Sequence, residues 1–173
     1  MIHCVTSMNE GYFNGVGKLM IKTWLMRFPD EGYTLHLYLE DFTITTNDSR
    51  VKIYDWNTEV GQWYDAWQIK NKTDHKNPRR RRFTKKALTQ IRAWNNINTG
   101  NFLWIDADIL FLKPVAKDFF NIVLENFPLA CWGQFEFESG TVFINLDHKD
   151  FQPIKKLYEN IYIETKQTPP GQR

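Results

Sequence analysis

Apolar residues along this chain form short runs typical of buried strands and longer stretches with helical spacing. Residues 2–6, 33–39 and 51–54 are apolar runs of strand length. Between the first two runs, residues 16–27 repeat apolar side chains about every 3.6 positions, and the proline and glycine within 29–32 would end this helix. The opening therefore predicts a β-α-β unit with two parallel strands and a right-handed crossover.

The second half of the chain centres on residues 102–105, four large apolar residues that follow Gly100 and Asn101. A continuous apolar run of this length is typical of a strand buried on both faces, as in parallel sheets covered by helices. A helix with apolar spacing at 83–94 precedes it. Weaker patterns predict a helix at 118–126, a strand at 128–132, a strand ending on Asn145 and a last helix at 151–161. Together these elements indicate an α/β fold with a three-layer core.

Asp106 and Asp108 directly follow the central strand. Because burying a carboxylate without a partner costs several kcal/mol, we place the pair at the carboxyl end of the strand, facing a crevice. In an extended chain, residues two apart point to the same side, which would bring both carboxylates together and turn Ala107 away. Mg²⁺ and Mn²⁺ bind few protein carboxylates and complete their shells with water and phosphate oxygens, so the pair predicts half of a metal–diphosphate site. The alternative is a strand that ends in an acidic turn.

A basic run at 79–86 opens the helix that precedes this strand. Arg82 and Lys86 are four residues apart and share one face of a helix, whereas Lys85 points elsewhere. The run would draw phosphates towards the neighbouring site, and the amino terminus of the helix would add N–H donors and a partial positive charge. A solvated face or a nucleic-acid-binding patch is the alternative interpretation.

Polar residues after the first strand form a second candidate contact. Thr6, Ser7 and Asn9 could hydrogen-bond a base or a ribose, or could instead form a turn and cap a helix. This turn lacks a Gly-x-Gly-x-x-Gly sequence, which argues against a Rossmann dinucleotide site.

An acidic, glycine-containing turn is expected at 138–140. Glu138 could act as a base or hold an acceptor hydroxyl, and Gly140 would let a ligand approach the backbone closely. Asn145 would end the strand that follows. A hairpin turn with a strand-ending asparagine is the alternative.

Composition narrows the class of protein. With 173 residues, 42% hydrophobic and 16% aromatic, the chain predicts one globular domain over 1–163 and a flexible tail at 164–173. A net charge of +2 does not by itself indicate a nucleic-acid partner. Cys4 and Cys131 lie in apolar contexts without metal-ligand spacing, which favours reduced thiols and a cytoplasmic location. No apolar stretch approaches the roughly 20 residues of a membrane span, so no span is expected.

Aromatic residues crowd the segment after the third strand. Trp56, Trp63, Tyr64 and Trp67 could form the wall of a sugar site, but such a cluster is more often a satellite core under a long loop. The charged, turn-rich residues 70–78 predict a mobile loop.

The ordered combination of these segments resembles the GT-A glycosyltransferases of the DXD type. Residues 102–109 resemble their DXD strand, and residues 138–145 some thirty positions later resemble the strand that lines their donor-sugar pocket. Residues 2–7 resemble their nucleotide-binding first strand, and residues 83–87 resemble the basic helix before the DXD strand.

The resemblance implies a Rossmann-like, mostly parallel mixed sheet flanked by helices. It also implies transfer of a sugar from a nucleotide-sugar donor to a hydroxyl acceptor on a glycan, lipid or protein. Asp106 and Asp108 would bridge Mn²⁺ or Mg²⁺ to the donor diphosphate, and Asp108 and Glu138 are the candidate catalytic residues. Glu138 would be the general base if the reaction inverts the sugar configuration, whereas in a retaining reaction Glu138 or Gln134 would only position the acceptor. Arg82 or Lys86 would stabilise charge on the departing diphosphate.

Members of this family often continue with a portion that supplies a metal-binding histidine, which nothing after Ile163 matches. The resemblance therefore implies a small or carboxy-terminally truncated member, in which His148 is a surface residue. The alternatives are a nucleotidyltransferase, an inactive glycosyltransferase-like domain and a nucleic-acid-binding module using residues 79–86. Nucleic acid is the less favoured partner.

Overall fold

The structure is a computed structural model that describes residues 1–71, 77–116, 118–132 and 138–164. Within these residues one sheet contains β1 (Ile2–Asn9), β2 (Tyr33–Glu40), β3 (Val51–Asp55), β4 (Asn101–Ile105), β5 (Leu129–Trp132) and β6 (Glu138–Asn145). The helices are α1 (Glu10–Tyr12), α2 (Lys18–Arg27), α3 (Gln62–Lys70), α4 (Pro78–Ile97), α5 (Phe119–Leu124) and α6 (Phe151–Glu159). π-helical turns at Phe13–Gly17, Asn57–Gly61 and Asn160–Glu164 adjoin α2, α3 and α6.

The strands lie in the order β3-β2-β1-β4-β6-β5. β1 pairs in parallel with β2 and with β4, and β2 pairs in parallel with β3. β6 is antiparallel to both of its neighbours. The expected Rossmann-like, mostly parallel mixed sheet is therefore confirmed. The chain order reverses between β1 and β4, and α/β sheets bind ligands in the crevice outside the carboxyl ends of such strands.

Two apolar cores, one on each face of the sheet, confirm the three layers. The first core packs residues of α2 and α5 against Leu103 and Ile105 of β4. The second core packs residues of α3, α4 and α6 against Phe102 and Trp104 of the same strand. Alternate residues of β4 thus point to opposite cores, as in a strand buried on both faces.

The aromatic segment after β3 belongs to the second core. Trp56, Tyr64 and Trp67 are buried, and Trp56 Nε1 donates a hydrogen bond to Thr89 Oγ1 of α4 at 2.8 Å. The segment is therefore core, as favoured over the wall of a sugar site, but it belongs to a main core of the domain and not to a satellite core under a loop.

β1 is longer than the sequence pattern predicts. Thr6 pairs with Leu37 and Asn9 pairs with Glu40, so the ladder to β2 keeps residues 6–9 extended. The turn expected directly after Thr6 is therefore wrong. α1 begins at Glu10 instead, directly after the carboxyl end of β1.

β6 also begins earlier than expected. Residues 138–140 are extended strand instead of a turn, and the Gly140 carbonyl accepts a hydrogen bond from the backbone N–H of Asp106 at 2.8 Å. The loop expected at 70–78 and the tail expected at 164–173 fall mostly outside the described residues. In the part of the chain that the structure describes, no helix is both long and apolar enough to cross a membrane.

Candidate functional site

The candidate site lies where β1 and β4 end side by side. Their parallel pairing stops at Val5 and Trp104. Continuing this register by two residues places Ser7 next to Asp106, on the sheet face that α4 covers. The end of β1 and the segment after β4 therefore border the crevice at the point where the strand order reverses.

Asp106 is held by two donors on one carboxylate oxygen. Trp104 Nε1 donates to Asp106 Oδ1 at 2.6 Å, and Lys86 Nζ donates to the same oxygen at 2.7 Å. The Lys86 ammonium also lies 5.4 Å from the centre of a Trp104 ring. The Asp106 side chain is 39% exposed, whereas that of Lys86 is 14% exposed. Among the residues that the structure describes, none donates a hydrogen bond to Asp106 Oδ2.

Asp108 is exposed and contacts the opposite side of the crevice. Tyr12 Oη in α1 donates to Asp108 Oδ2 at 3.3 Å. The Asp108 charge is the main cause that raises the pKa of Tyr12; burial and Asp106 add to the rise, and Arg82 opposes it. Arg82 therefore lies within electrostatic range of the site.

The sequence predicts that the two carboxylates lie on one side of an extended strand. The structure shows that they do not. β4 ends at Ile105, and a turn follows in which Ile109 N–H donates to the Asp106 carbonyl at 3.1 Å. Asp106 consequently contacts α4, Asp108 contacts α1, and Ala107 between them is buried in the first core. Asp106 and Asp108 therefore contact opposite sides of the crevice, formed by α4 and α1.

Side chains of α4, and not its amino terminus, supply positive charge at Asp106. α4 begins at Pro78, and Asn77 caps it by accepting hydrogen bonds from two backbone N–H groups of the first turn. Lys86 lies about 12 Å further along the helix axis. The expected attraction of a phosphate to the helix terminus therefore does not apply at Asp106.

Lys85 and Lys86 point in different directions, as predicted. Lys85 Nζ donates to Glu40 Oε2 at the end of β2 and lies 4.9 Å from the centre of a Trp56 ring. Lys85 thus joins α4 to the sheet, while Lys86 faces the crevice. The arginine side chains of 79–82 are exposed.

The three polar candidates at the end of β1 differ in their access to the crevice. Thr6 is fully buried, and its hydroxyl has no hydrogen-bond partner among the described residues, so the structure does not bring it to the crevice surface. Asn9 is exposed, but its Oδ1 accepts from Tyr12 N–H at 2.8 Å and caps the first helix. Ser7 is half-buried, and because continuation of the β1–β4 register places it towards Asp106, it is the best placed of the three to contact a ligand.

β6 brings Gly140 to the crevice and takes Asn145 away from it. Gly140 is buried against the backbone of Asp106. The antiparallel register pairs Asn145 with Asn101 at the other end of β4, which is about 16 Å from Asp106. Asn145 Oδ1 accepts a hydrogen bond from Asp147 N–H at 3.0 Å. The predicted contact of Asn145 with substrate is therefore corrected to a role in a turn.

Two further candidates lie at opposite ends of β6. The backbone of Glu138 begins the strand, two residues before Gly140 and at the crevice end, but its side chain falls outside the described part of the structure. His148 follows the far end, where its Nδ1 accepts from Asp150 N–H at 3.1 Å. As expected, His148 is not placed to bind a metal at Asp106.

The oxygen atoms of the crevice suit a hard divalent cation. Asp106 Oδ2 and Asp108 Oδ1 are carboxylate oxygens to which no described residue donates a hydrogen bond. Mg²⁺ and Mn²⁺ favour such ligands. Within the described ranges, no group of three or more His, Cys, Asp or Glu side chains could hold a metal ion.

The sequence matches no family model and no curated protein, but solved structures share its architecture. The apo form of mouse xyloside xylosyltransferase 1 matches with a TM-score of 0.56 at 13% identity, over 95% of this chain and 74% of that one. An active-site mutant of LgtC matches with a TM-score of 0.52 at 12% identity, over 96% of this chain and 66% of that one. This chain has the GT-A glycosyltransferase fold. Its crevice between β1 and β4 is thus the switch point of a GT-A sheet.

A third similar structure, GlyE from Streptococcus pneumoniae, has a TM-score of 0.49 at 12% identity and covers 99% of this chain. This GT-A chain spans 40% of the length of GlyE and 66% of the length of LgtC. At these identities the similarity is one of fold.

Two residues of this GT-A crevice, Trp104 and Tyr12, are missed by sequence reasoning. Trp104 precedes Asp106 by two positions, so the strand period could have placed both on one face. The contact of Tyr12 with Asp108 joins residues 96 positions apart, and no local pattern signals it.

Proposed function

We propose that this chain is the donor-binding core of a metal-dependent glycosyltransferase that moves a sugar from a nucleotide-sugar donor to a hydroxyl acceptor. The observation that carries the proposal is the position of Asp106, Asp108 and Lys86 at the switch point of a GT-A fold. Open carboxylate oxygens beside a cation are what a metal-bound diphosphate requires. One of the similar structures is a xylosyltransferase, which supports sugar transfer in general.

Different residues of the crevice would bind different parts of the donor. A Mn²⁺ or Mg²⁺ ion held by Asp106 and Asp108 would supply Lewis-acid stabilisation of the diphosphate charge. Lys86 neutralises Asp106 through the 2.7 Å contact and, with Arg82, adds positive charge where the diphosphate would lie. Ser7 is proposed to hydrogen-bond the donor from the end of β1.

The acceptor side of the reaction is proposed to involve β6. Glu138 would take the acceptor proton if the reaction inverts the sugar configuration, and the position of its backbone at the crevice end of β6 supports this role. Gly140 would leave space for a ligand beside the Asp106 backbone.

Because Cys4 and Cys131 are both free thiols, a reducing compartment, the cytoplasm, is the proposed location.

Product analysis tests the proposed function. The protein is incubated with Mn²⁺, a panel of nucleotide sugars and simple alkyl glycosides, and the nucleotides are separated by chromatography. We expect free nucleoside diphosphate from one donor, released about 100-fold more slowly in Asp106→Asn. The control Asp65→Asn changes an exposed carboxylate on α3 and should retain the rate.

Other products would point to the other candidate functions. Pyrophosphate in place of nucleoside diphosphate would indicate a nucleotidyltransferase. Nucleotide binding without any product would indicate an inactive domain. Salt-dependent oligonucleotide binding that needs no metal and survives in Asp106→Asn would favour a nucleic-acid-binding module based on residues 79–86.

A further inference from the structure

An apolar cleft lies beside the candidate site and has no part in donor binding as proposed above. Its volume is about 530 Å³, and Thr141 is the one polar side chain among the described residues that line it. The apolar lining includes Ile105, Ile109, Phe111, Val115, Phe120 and Phe143. Small-molecule sites in proteins occupy about 300–1,000 Å³, and a dry cavity of about 150 Å³ already holds a benzene ring. The cleft is therefore large enough for a sizeable apolar group.

The cleft adjoins the turn that carries the carboxylate pair, although neither carboxylate is among its lining residues. Ile105 directly precedes Asp106, and Ile109 directly follows Asp108. Thr141 pairs with Ile105 across the β4–β6 ladder. A molecule seated in the cleft would therefore have one end close to the turn that carries Asp106 and Asp108.

The cleft and the Lys86 ammonium lie on opposite faces of the sheet. Ile105, which lines the cleft, faces the first core, whereas Trp104 and its contact Lys86 face α4. A charged diphosphate suits the α4 side, since it would lose its hydration in the apolar cleft without replacement. The cleft consequently suits the uncharged part of the second substrate.

We propose that this cleft binds the apolar group of the acceptor, an alkyl or aryl aglycone whose sugar hydroxyl is directed towards Asp108. The inference rests on the proposed function, because an acceptor exists only if a sugar is transferred. Removal of the aglycone from water would supply the affinity, and the Thr141 hydroxyl would face the polar end of the acceptor.

Two tryptophan substitutions in the loop between β4 and α5 distinguish an effect of filling the cleft from an effect of changing the loop elsewhere. Val115→Trp fills the cleft, and the backbone contact of Val115 N–H with the Arg27 carbonyl at 2.9 Å does not depend on the side chain. The control Leu112→Trp changes a residue that is 77% exposed and is not among the lining residues. If Val115→Trp does not fold, Val115→Phe replaces it.

Two readouts are measured on wild type and both variants. The first is fluorescence titration with N-phenyl-1-naphthylamine, a neutral apolar probe. We expect the probe to bind wild type and Leu112→Trp, and to bind Val115→Trp at least about tenfold more weakly. The second is the transfer rate to octyl and methyl glycosides of the same sugar. We expect the octyl glycoside to be at least about tenfold better in kcat/KM, and this preference to disappear in Val115→Trp.

Several results would overturn the inference. Equal probe binding by Val115→Trp, or no octyl preference in a protein that still transfers sugar, would refute the aglycone site and leave the proposed function intact. A dimer in sedimentation whose formation lowers probe binding would show that a second copy covers the cleft. If wild type binds no nucleoside diphosphate with Mn²⁺ present, the proposed function fails, and the acceptor role fails with it.

Discussion

Asp106 depends on a buried indole for its orientation. Trp104 is 2% exposed and donates from Nε1 to Asp106 Oδ1 at 2.6 Å. Hydrogen bonds to a charged group contribute about 1.5–3 kcal/mol, and they also restrict the rotamer of the carboxylate. Trp94 is equally buried in the same core, yet among the described residues its Nε1 has no hydrogen-bond partner.

We expect Trp104→Phe to destabilise the protein by about 1–2 kcal/mol more than Trp94→Phe. Both changes remove the same ring area, but only the first removes a hydrogen bond, whereas the second removes an unsatisfied donor. The comparison is made by urea unfolding, and Mn²⁺–nucleotide affinity should fall in Trp104→Phe alone. Equal losses of stability would show that the indole N–H contributes nothing at Asp106.

His3 and His36 form a second polar pair, in which His36 is buried and His3 is half-buried. His3 Nδ1 lies 3.1 Å from His36 Nε2, and His36 Nδ1 lies 3.0 Å from Tyr54 Oη. Burial, with repulsion from His3 and Lys52, lowers the pKa of His36 to about 3. Burial, with repulsion from the amino terminus and Lys52, lowers the pKa of His3 to about 4. Both rings are therefore neutral in the native protein at neutral pH.

Stability should fall as the pH decreases from about 6.5 towards 4. In this window the unfolded chain binds protons that the native rings exclude, at up to about 1.4 kcal/mol per pH unit for each histidine. His36→Gln keeps groups that can hydrogen-bond His3 and Tyr54, and should reduce this slope by roughly 1 kcal/mol per pH unit. The slope is measured by urea unfolding at several pH values.

His148→Gln serves as the control for this pH dependence. His148 lies in the turn after β6 and contacts Asp150, apart from the His3–His36 pair. The His148→Gln variant should lose stability with decreasing pH to the same extent as wild type. An unchanged slope in His36→Gln would contradict the assignment of that loss to the His3–His36 pair.

At the scale of elements, the π-helical turn before α2 fits closely against β1. A Cβ atom on Gly17 would lie 2.6 Å from Met8 Sδ, and Met8 is 3% exposed. A Cβ atom on Gly15 in the same turn would meet no atom within 4 Å. The turn thus contains one glycine that packing requires and one that it does not.

Gly17→Ala and Gly15→Ala should change stability in opposite directions. The first should destabilise the protein by about 1–3 kcal/mol, because Met8 must move within a packed core. The second should stabilise it by about 0.5–1 kcal/mol, because alanine loses less backbone entropy in a helical segment. Thermal or urea unfolding measures both, and a loss of stability in Gly15→Ala as large as in Gly17→Ala would contradict the packing argument.

Elements with a strong local pattern could be predicted from the sequence, whereas register could not. The spacing within α2 and α4 and the apolar run of β4 each indicate their element correctly. Residues 6–9, polar except for Met8, carry no clear strand signal, and their pairing with β2 keeps them extended. Asn145 is misplaced for the same reason, since only the antiparallel register with β4 reveals which end of β6 faces the crevice.

At the scale of the whole molecule, the sheet topology assembles the site from distant segments. Tyr12, Lys86 and Asp108 come from three helices or turns and meet at the β1–β4 switch point. Sequence reasoning predicts the carboxylate pair and Lys86, because each stands out against its local pattern. The partners that orient them belong to the tertiary structure.

In the proposed function, Asp106 and Asp108 hold a cation that binds a nucleoside diphosphate. This binding is tested most directly by thermal unfolding with a panel of nucleoside diphosphates, with and without Mn²⁺. A ligand at about 100 times its Kd should raise Tm by roughly 5–10 °C. We predict this shift for one nucleotide with Mn²⁺ in wild type and Asp65→Asn, and its loss in Asp106→Asn and Asp108→Asn. The same shift without Mn²⁺, or an undiminished shift in Asp106→Asn, would contradict the claim.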